Sequence, residues 1–435
     1  MFKKSFLHYR KLMLLVVLTF SACVEEIEID TLNENESQSA LVVEAIFTNE
    51  AITQTVYLSR SSVNLDLETD TVYSPYIPLS SRPFDTVDWE IGATVTLLSE
   101  SGEEFKFTEA QDGVYHSNTP FALQMGVNYT LDISRNNGQE YESDPISIQG
   151  ISRVTNVYSE KAENDNGEEG IAIYVDSEPL EGNAKYFKYT YAETYKIVAP
   201  FWQNFEFELT NYDGIDDVVD YDLEVVVKET EDRICYNTVS SNTIDVFSTD
   251  GVSEGNVTKH KVRFITKDNF IIAQRYSILV QQQVQSPDAN SFYKTLQSFS
   301  QSDNLFSQIQ PGGIYANVHR KDGKIENVYG YVEAVGVTEQ RIFLNYEDFF
   351  PEETPPYAFN CGFETAKLFN SPTDPCPQGL LERIDIGTVT YYSDYVENLV
   401  PDANPICVGP FIFVPTICGD CTVLGSNIKP DFWVD

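Results

Sequence analysis

The residues of this chain that could form covalent bonds or hold a metal are mainly its cysteines. Six of the seven lie in the second half of the sequence. An even number of thiols in an exported protein favours disulfides, although the sequence does not choose among the pairings. The six candidates are Cys235, Cys361, Cys376, Cys407, Cys418 and Cys421.

Cys418 and Cys421 have the C-x-x-C spacing of a redox pair or of half a zinc site. A thioredoxin-like pair opens a helix beside a βαβ unit, whereas the loop sequence Thr-Val-Leu-Gly-Ser-Asn follows here. A zinc ribbon needs a second close pair, and the other cysteines are widely separated. The spacing therefore favours structural disulfides, with metal binding and redox chemistry as the alternatives.

One string, Gly251-Val252-Ser253-Glu254-Gly255, matches the G-x-S-x-G elbow of α/β-hydrolases, but no βαβ pattern surrounds it. The three histidines beyond the N-terminal leader, His116, His260 and His319, each stand alone in a polar setting, and no H-E-x-x-H is present. We therefore predict no catalytic residue and no enzyme. A pair of converging carboxylates, as in glycosidases, is the open alternative because the chain carries 67 acids.

Two acid-rich loops, residues 163–169 and 213–220, could offer oxygen ligands to Ca²⁺. Neither has the spacing of an EF-hand, and acidic turns are usually solvated. We therefore predict no cofactor and no metal site, with Ca²⁺ as the alternative.

The start of the chain resembles a bacterial lipoprotein signal. Basic residues precede an uncharged run over residues 12–20, which is too short to cross a bilayer, where about 20 residues are needed. Phe20-Ser21-Ala22-Cys23 is similar to a lipobox, with Phe where Leu is usual. We therefore predict that residues 1–22 are a signal peptide and that Cys23 carries lipid, with more than one acyl chain giving a stable anchor.

The remainder of the chain is strongly acidic. Without the four basic residues of the leader, 24 lysines and arginines stand against 67 acids, a net charge near −43. Nucleic-acid binding needs clustered basic residues, so the composition excludes that class. No later apolar run is long enough to span a membrane, and the lipid on Cys23 is the predicted anchor.

The elements that position these residues are predicted to be mainly β. An acidic tether covers residues 23–40, and short alternating runs over residues 41–150 predict an Ig-like or transthyretin-like β-sandwich. Ser101-Gly102, Asp112-Gly113 and Asn137-Gly138 supply the turn residues that hairpins need. The phrase GATVTLLSESGEEFKFTEAQDGVYHS is similar to the carboxypeptidase-regulatory, transthyretin-like modules of bacterial surface proteins.

One long insertion, residues 63–90, interrupts the sandwich with aromatic residues among prolines and acids. Long loops within compact domains are often functional, so we predict a contact surface, with a lid folded on the sandwich as the alternative. Asp70-Thr71-Val72 and Asp85-Thr86-Val87 resemble the O-glycosylation sites of Bacteroidota, which implies modification at Thr71 and Thr86. The aromatic residues of the predicted contact loop are Tyr73, Tyr76, Phe84 and Trp89.

Residues 151–350 are predicted to form a second β-rich domain with one short helix, which begins at Ser286-Pro287-Asp288. Its apolar stripe is typical of core packing. Residues 351–435 are predicted to be an irregular region, stapled by disulfides, without its own core and packed on the second domain. The apolar stripe of the predicted helix consists of Phe292, Leu296 and Phe299.

Several features together resemble the Bacteroidota family catalogued as domain of unknown function 4249. They are the lipobox, ALVVEAIFTNE, GATVTLLSE, Cys235-Tyr236, Tyr276-Ser-Ile-Leu-Val and the ending from Cys418 to Trp433 with its Lys-Pro-Asp-Phe-Trp motif. Gly425-Ser426 departs from the two glycines usual in that motif. Members of the family are outer-membrane lipoproteins often encoded beside TonB-dependent receptors. The resemblance therefore implies a partner barrel and carries over no catalytic residue.

These observations predict a lipid-anchored protein of the outer membrane that faces the cell exterior. Glu25 and Glu26, just after the lipid cysteine, resemble the export signal for that location. We expect a non-enzymatic accessory or capping subunit of a TonB-dependent transporter that helps capture or admit cargo. The alternatives are a surface glycan or peptide hydrolase and an adhesin or structural subunit of an outer-membrane complex.

Overall fold

The computed structural model describes residues 40–61, 87–213, 221–251, 255–300, 316–370 and 375–435. Several predictions fall on other residues and lie outside the described part. These concern the signal peptide, nearly all of the tether, the elbow serine and most of the loop at 213–220. The same holds for Cys23, Thr71, Thr86, Tyr73, Tyr76 and Phe84.

The N-terminal strands form because apolar residues alternate along them. In the first strand Leu41, Val43, Ala45 and Phe47 are buried, while the residues between them face outward. Seven of these strands pair antiparallel in the order β1-β2-β6-β5-β4-β7-β8, and β3 pairs with β2. The strands are β1 (Leu41–Thr48), β2 (Thr55–Arg60), β3 (Asp88–Trp89), β4 (Thr94–Ser99), β5 (Glu104–Gln111), β6 (Val114–Ser117), β7 (Tyr129–Ser134) and β8 (Glu140–Ser143).

Two strands from much later in the chain complete this first sheet. β18 (Val318–Arg320) pairs with β8, and the first half of β19 (Val328–Asn345) pairs parallel with β1. Asn317, just before β18, uses its side-chain amide to bond both backbone groups of Val332, at 2.7 and 2.9 Å. The predicted division at residue 150 placed these residues in the second block, whereas Val318, Val328 and Val332 pack in the first core.

The second half of β19 continues into another layer of the fold. It pairs with β17, and the order β14-β11-β17-β19 gives a sheet whose inner face packs against a three-stranded sheet, β16-β10-β9. Apolar residues from both sheets meet in one core, as in a β-sandwich. These strands are β9 (Gly150–Glu163), β10 (Glu169–Gly182), β11 (Tyr186–Val198), β14 (Ile234–Ser240), β15 (Asp245–Ser248), β16 (Val257–Thr266) and β17 (Arg275–Val284).

The predicted helix is present as α1 (Pro287–Ser300). Its cap is Ser286, whose Oγ accepts a hydrogen bond of 3.1 Å from the N–H of Ala289, and proline fits the first helical position because it needs no donor there. The described residues contain two further helices that were not predicted, α2 (Leu380–Asp385) and α3 (Thr416–Gly419). In the same part of the chain, 3-10 helices span Phe270–Ile272, Tyr346–Asp348, Glu397–Leu399 and Cys421–Val423.

The C-terminal region is stapled by disulfides, as predicted, but it has small apolar clusters, whereas the sequence predicted a region without its own core. One cluster joins Leu380 on α2 to Phe413 on the hairpin β20 (Val389–Asp394) and β21 (Phe411–Pro415). Phe207, from the hairpin β12 (Phe205–Thr210) and β13 (Asp222–Val227), covers it. Short apolar segments are therefore buried here without a large core, because residues of neighbouring hairpins cover them.

All six candidate cysteines are paired. Cys235 bonds Cys421 and ties β14 to the C-terminal region, while Cys361 bonds Cys418. The third bond is Cys376–Cys407. Because Cys418 and Cys421 each bond a distant partner, the C-x-x-C string is part of the disulfide framework, as the sequence favoured.

Candidate functional site

A groove of about 620 Å³ lies between helix α1 and the outward face of the sheet at β2, β1 and β19. We call it the α1 groove. Its floor runs along β1 from Val42 to Thr48, about 20 Å of extended chain, and one turn of α1 forms a wall. The lining is mostly apolar and aromatic, and it comprises Val42, Glu44, Ala45, Ile46, Thr48, Ile52, Thr53, Gln54, Thr55, Tyr57, Phe292, Tyr293, Leu296, Tyr329, Gly330 and Tyr331.

Strand register puts a carboxylate between two tyrosines at the centre of this floor. Glu44 on β1 stands opposite Tyr57 on β2 and opposite Tyr331 on β19. Directly opposed side chains on neighbouring strands have Cβ atoms about 5 Å apart, so all three belong to one surface. Val42 and Ile46 share the same face because side chains alternate along a strand.

The close approach of β19 to β1 depends on a glycine. Gly330 has φ of 86°, and a Cβ there would lie 2.1 Å from the carbonyl oxygen of Val43. Any other residue would both strain this backbone and push β19 away from β1. Gly330 therefore helps to keep Tyr329 and Tyr331 level with the groove floor.

The groove exposes large apolar side chains to solvent. Ile52 and Tyr57 are each 45% exposed, and Tyr329 is 39% exposed. Tyr331 is half-buried, with its ring centroid 4.9 Å from that of Phe292 on α1. A clustered exposed apolar surface of this kind is typical of a binding site.

A buried polar cluster fixes α1 beside the groove. Lys188 on β11 and Glu333 on β19 form an ion pair of 3.0 Å, and Gln285 donates to the other oxygen of the Glu333 carboxylate at 3.0 Å. The Lys188 ammonium also lies 4.0 Å from the ring centroid of Tyr293. Asn290 on α1 donates to Gln285, so the helix is tied to both sheets through this cluster.

Two tyrosines that line the groove, Tyr331 and Tyr293, have raised pKa values. Burial, helped by nearby acids, raises the pKa of Tyr331 to about 12. Burial and the neighbouring Glu333 carboxylate raise the pKa of Tyr293 far above its ordinary value. Neutral phenols can stack, donate hydrogen bonds and attract cations to their rings, whereas they are poor nucleophiles. These properties suit a surface that binds a ligand.

Glu44 is exposed, and within the residues described no lysine, arginine or histidine forms an ion pair with it. Glu333 lies on the same face of the sheet, but its carboxylate already forms an ion pair with Lys188. Among the described residues, Glu44 is therefore the one carboxylate that lines the groove, and it stands unpaired among aromatic rings.

The structure places the other candidate residues away from the groove. Trp89 lies half-buried on β3 opposite Ser59. Glu169, from the acid-rich loop at 163–169, pairs with Lys161 and Lys267 instead of standing free for Ca²⁺. Across the described ranges no three histidine, cysteine or acidic residues converge in a way that could hold a metal.

The prediction that each histidine stands alone is wrong for His260. Its ring stacks on Tyr189 with centroids 4.5 Å apart and lies 4.8 Å from that of Phe247. Its Nε2 atom is 3.0 Å from the Asp245 carboxylate. Strands β11, β15 and β16 bring these residues together from separate segments, which the pattern of any one segment does not show.

His319, in contrast, lies at the surface beside two acids. Its ring nitrogens are 3.4 Å from Glu142 and 3.6 Å from Asp144. His116 lies on β6 opposite Thr55 and Thr108. Neither arrangement resembles a catalytic dyad with a nucleophile.

The sequence pattern does not predict the α1 groove. The apolar stripe of α1 is typical of core packing, and Phe292 is indeed buried, but Leu296 lines the groove. The outward face of β1 is the sequence feature that indicates a groove. It carries Val42, Glu44 and Ile46, whereas a face in contact with water alone would be polar throughout.

The fold and site define a mainly-β protein with β-sandwich-like packing, three disulfides and an open apolar groove. The model of the family described as Domain of unknown function (DUF4249) matches residues 24–341, and the chain belongs to that family. No curated protein matches it significantly.

A comparison with solved structures finds the adhesin InvE of Yersinia pseudotuberculosis. The two chains are 11% identical, and the match covers 84% of this chain and 70% of that one with a TM-score of 0.16. That score is too low to support an argument about fold or function. In the part of the chain that is described, no helix has the length and hydropathy of a membrane span.

Proposed function

We propose that this protein is a cell-surface lipoprotein of the outer membrane, anchored through Cys23, that serves a TonB-dependent transporter as a non-enzymatic accessory subunit. In this proposal the α1 groove captures cargo and the partner barrel admits it. The observation that carries the proposal is the groove itself, an open apolar cleft in which the Glu44 carboxylate has no basic partner among the described residues.

Groove size supports capture of a small ligand. Pockets for small ligands enclose about 300–1,000 Å³, and the α1 groove at about 620 Å³ lies within that range. A stable protein interface buries about 800 Å² on each partner, which is more than such a groove can supply alone. Contact with the barrel is therefore assigned to other surfaces.

Position along the chain also supports the proposal. The floor of the groove begins at Val42, and Ala40 lies 17 positions after Cys23. A chain of that length reaches no more than about 60 Å even when fully extended. A lipid on Cys23 would therefore hold the groove close to the membrane in which a partner barrel sits.

Affinity purification from solubilised outer membranes tests this function. We expect a TonB-dependent barrel to elute with the tagged full-length protein in roughly equal amount. The matched control is Cys23→Ser, which removes the acylated thiol and should lose the barrel because it is no longer held at the membrane. Elution of the wild-type protein without any barrel would contradict the proposal and favour a hydrolase or an adhesin.

A further inference from the structure

The side chains on the floor of the α1 groove alternate between apolar and acidic. Outward residues on β1 read Val42, Glu44, Ile46, which is apolar, acidic, apolar at every second position. An extended peptide also presents every second side chain to one side. A peptide lying along β1 would therefore match this floor best with a cationic residue between two apolar residues at alternate positions.

The surroundings of Glu44 favour a cation over other ligands. A hydrocarbon would bury the carboxylate without a partner, which is costly, and an anion would be repelled. The whole chain carries a formal net charge of −39, which adds to the attraction of a cation. Within the described residues no basic side chain pairs with Glu44, so the position is open to a ligand.

Aromatic rings add a second attraction at the same point. Tyr57 and Tyr331 flank Glu44 on the two neighbouring strands. Because opposed side chains on neighbouring strands are close, a cation held by the carboxylate lies beside tyrosine side chains, whose rings attract cations within about 6 Å. Leu296 and Ile52 lie further along the groove and could take the apolar side chains.

We propose that the α1 groove captures a short, extended peptide from the medium in which arginine or lysine stands between two apolar residues at alternate positions. This inference rests on the proposed function, in which the groove is the capture site. The cation pairs with Glu44 between the tyrosine rings, and the apolar side chains lie on either side along β1.

Fluorescence anisotropy with labelled, end-capped peptides and the full-length protein in detergent tests the inference. The probes are Leu-Ser-Arg-Ser-Leu and two peptides with Gln or Glu in place of Arg. We expect the Arg peptide to bind at least about tenfold more tightly than the Gln peptide, since an ion pair and cation–π contacts act together. Added salt should weaken that preference.

Glu44→Gln should bind the Arg and Gln peptides equally, whereas Glu104→Gln should keep the preference. Glu104 is a suitable control because it is an exposed glutamate on β5, outside the groove, with its side chain 58% exposed. Equal affinity of the wild-type protein for the Arg and Gln peptides, or a preference that survives Glu44→Gln, would overturn the inference.

The outcomes separate this inference from the proposed function. If all three peptides bind equally, the cation preference fails while the groove remains a capture site. If none binds, the inference fails, and a barrel that still co-purifies would leave the accessory role standing without peptide capture. Failure of the barrel to co-purify contradicts the proposed function, irrespective of the peptide affinities.

Discussion

Lys188 and Glu333 form an ion pair of 3.0 Å whose side chains are only 8% and 2% exposed. The pair joins β11 to β19, the strand that runs from the first core into the second. Gln285 satisfies the second oxygen of the carboxylate, so the charge is both paired and hydrogen-bonded. The junction of the two cores is therefore also the support of the α1 groove.

Removing one partner of this pair should destabilise the fold strongly. Lys188→Met leaves the buried Glu333 carboxylate without its cation, and the free energy of unfolding should fall by about 3–5 kcal/mol. Urea denaturation followed by tryptophan fluorescence measures the change. Lys196→Met is the control because Lys196 pairs with the exposed Asp435 at 3.6 Å, and it should cost no more than about 1 kcal/mol.

Asn317 should matter for a different reason, because its side chain replaces a strand partner. Asn317→Ala would leave the N–H and C=O groups of the buried Val332 unbonded on that side, at a cost of about 2–4 kcal/mol. Denaturation curves of the two proteins give the difference. Asn427→Ala is the control, because the exposed Asn427 also donates to a backbone carbonyl. If Asn317→Ala lowers the free energy of unfolding as little as Asn427→Ala does, Asn317 does not replace a strand partner.

Glu90 should contribute stability that depends on pH. Burial alone would raise its pKa, but hydrogen bonds from Arg135 and Arg60, each 2.7 Å, and their charges hold the pKa of Glu90 below its ordinary value of 4.5. A carboxyl with a lowered folded-state pKa adds stability above its unfolded pKa of about 4.3. That stability is lost as the pH falls through the folded-state value.

Glu90→Gln should therefore lose about 3 kcal/mol at pH 7, where Arg135 is left buried without a counter-charge. The difference from the wild type should shrink at pH 3. Urea denaturation at both values, with Glu104→Gln alongside, measures it. A difference that stays constant between the two pH values would show that the titration of Glu90 does not contribute.

The disulfides should differ in their effect on stability. The bond between Cys235 and Cys421 joins residues that are 186 positions apart in sequence, whereas Cys376 and Cys407 are 31 positions apart. Replacing either pair by Ser removes the corresponding cross-link from the unfolded chain. In the chain-entropy model the first change costs about 5 kcal/mol and the second about 4. Non-reducing peptide mapping checks the pairing first, and denaturation of the two double variants checks the order.

Much of the secondary structure was predictable because local patterns determine it. The run from Val328 to Asn345 is strand throughout, and Ser286-Pro287 marks the start of α1 as expected. Alternation along β1, part of the predicted short alternating runs, matches the burial pattern of that strand. Such features depend on residues that are neighbours in sequence, and the sequence shows them directly.

The parallel pairing of β1 with β19 was not predictable in the same way. Val42 pairs with Tyr329 across most of the chain, and nothing in either segment alone specifies that partner. The α1 groove exists only because of this pairing, which brings Tyr331 beside Glu44. The C-terminal clusters were missed for a similar reason, since Phe207 and Phe413 come from separate hairpins.

Photocrosslinking tests most directly whether the α1 groove is the capture site. The full-length protein in detergent would be irradiated with the Arg peptide carrying a photoreactive leucine, and mass spectrometry would locate the label. The account predicts labelling of β1, β2 and the turn of α1 from Phe292 to Leu296. Label concentrated elsewhere, such as the cavity of about 430 Å³ beside Cys407, would contradict it.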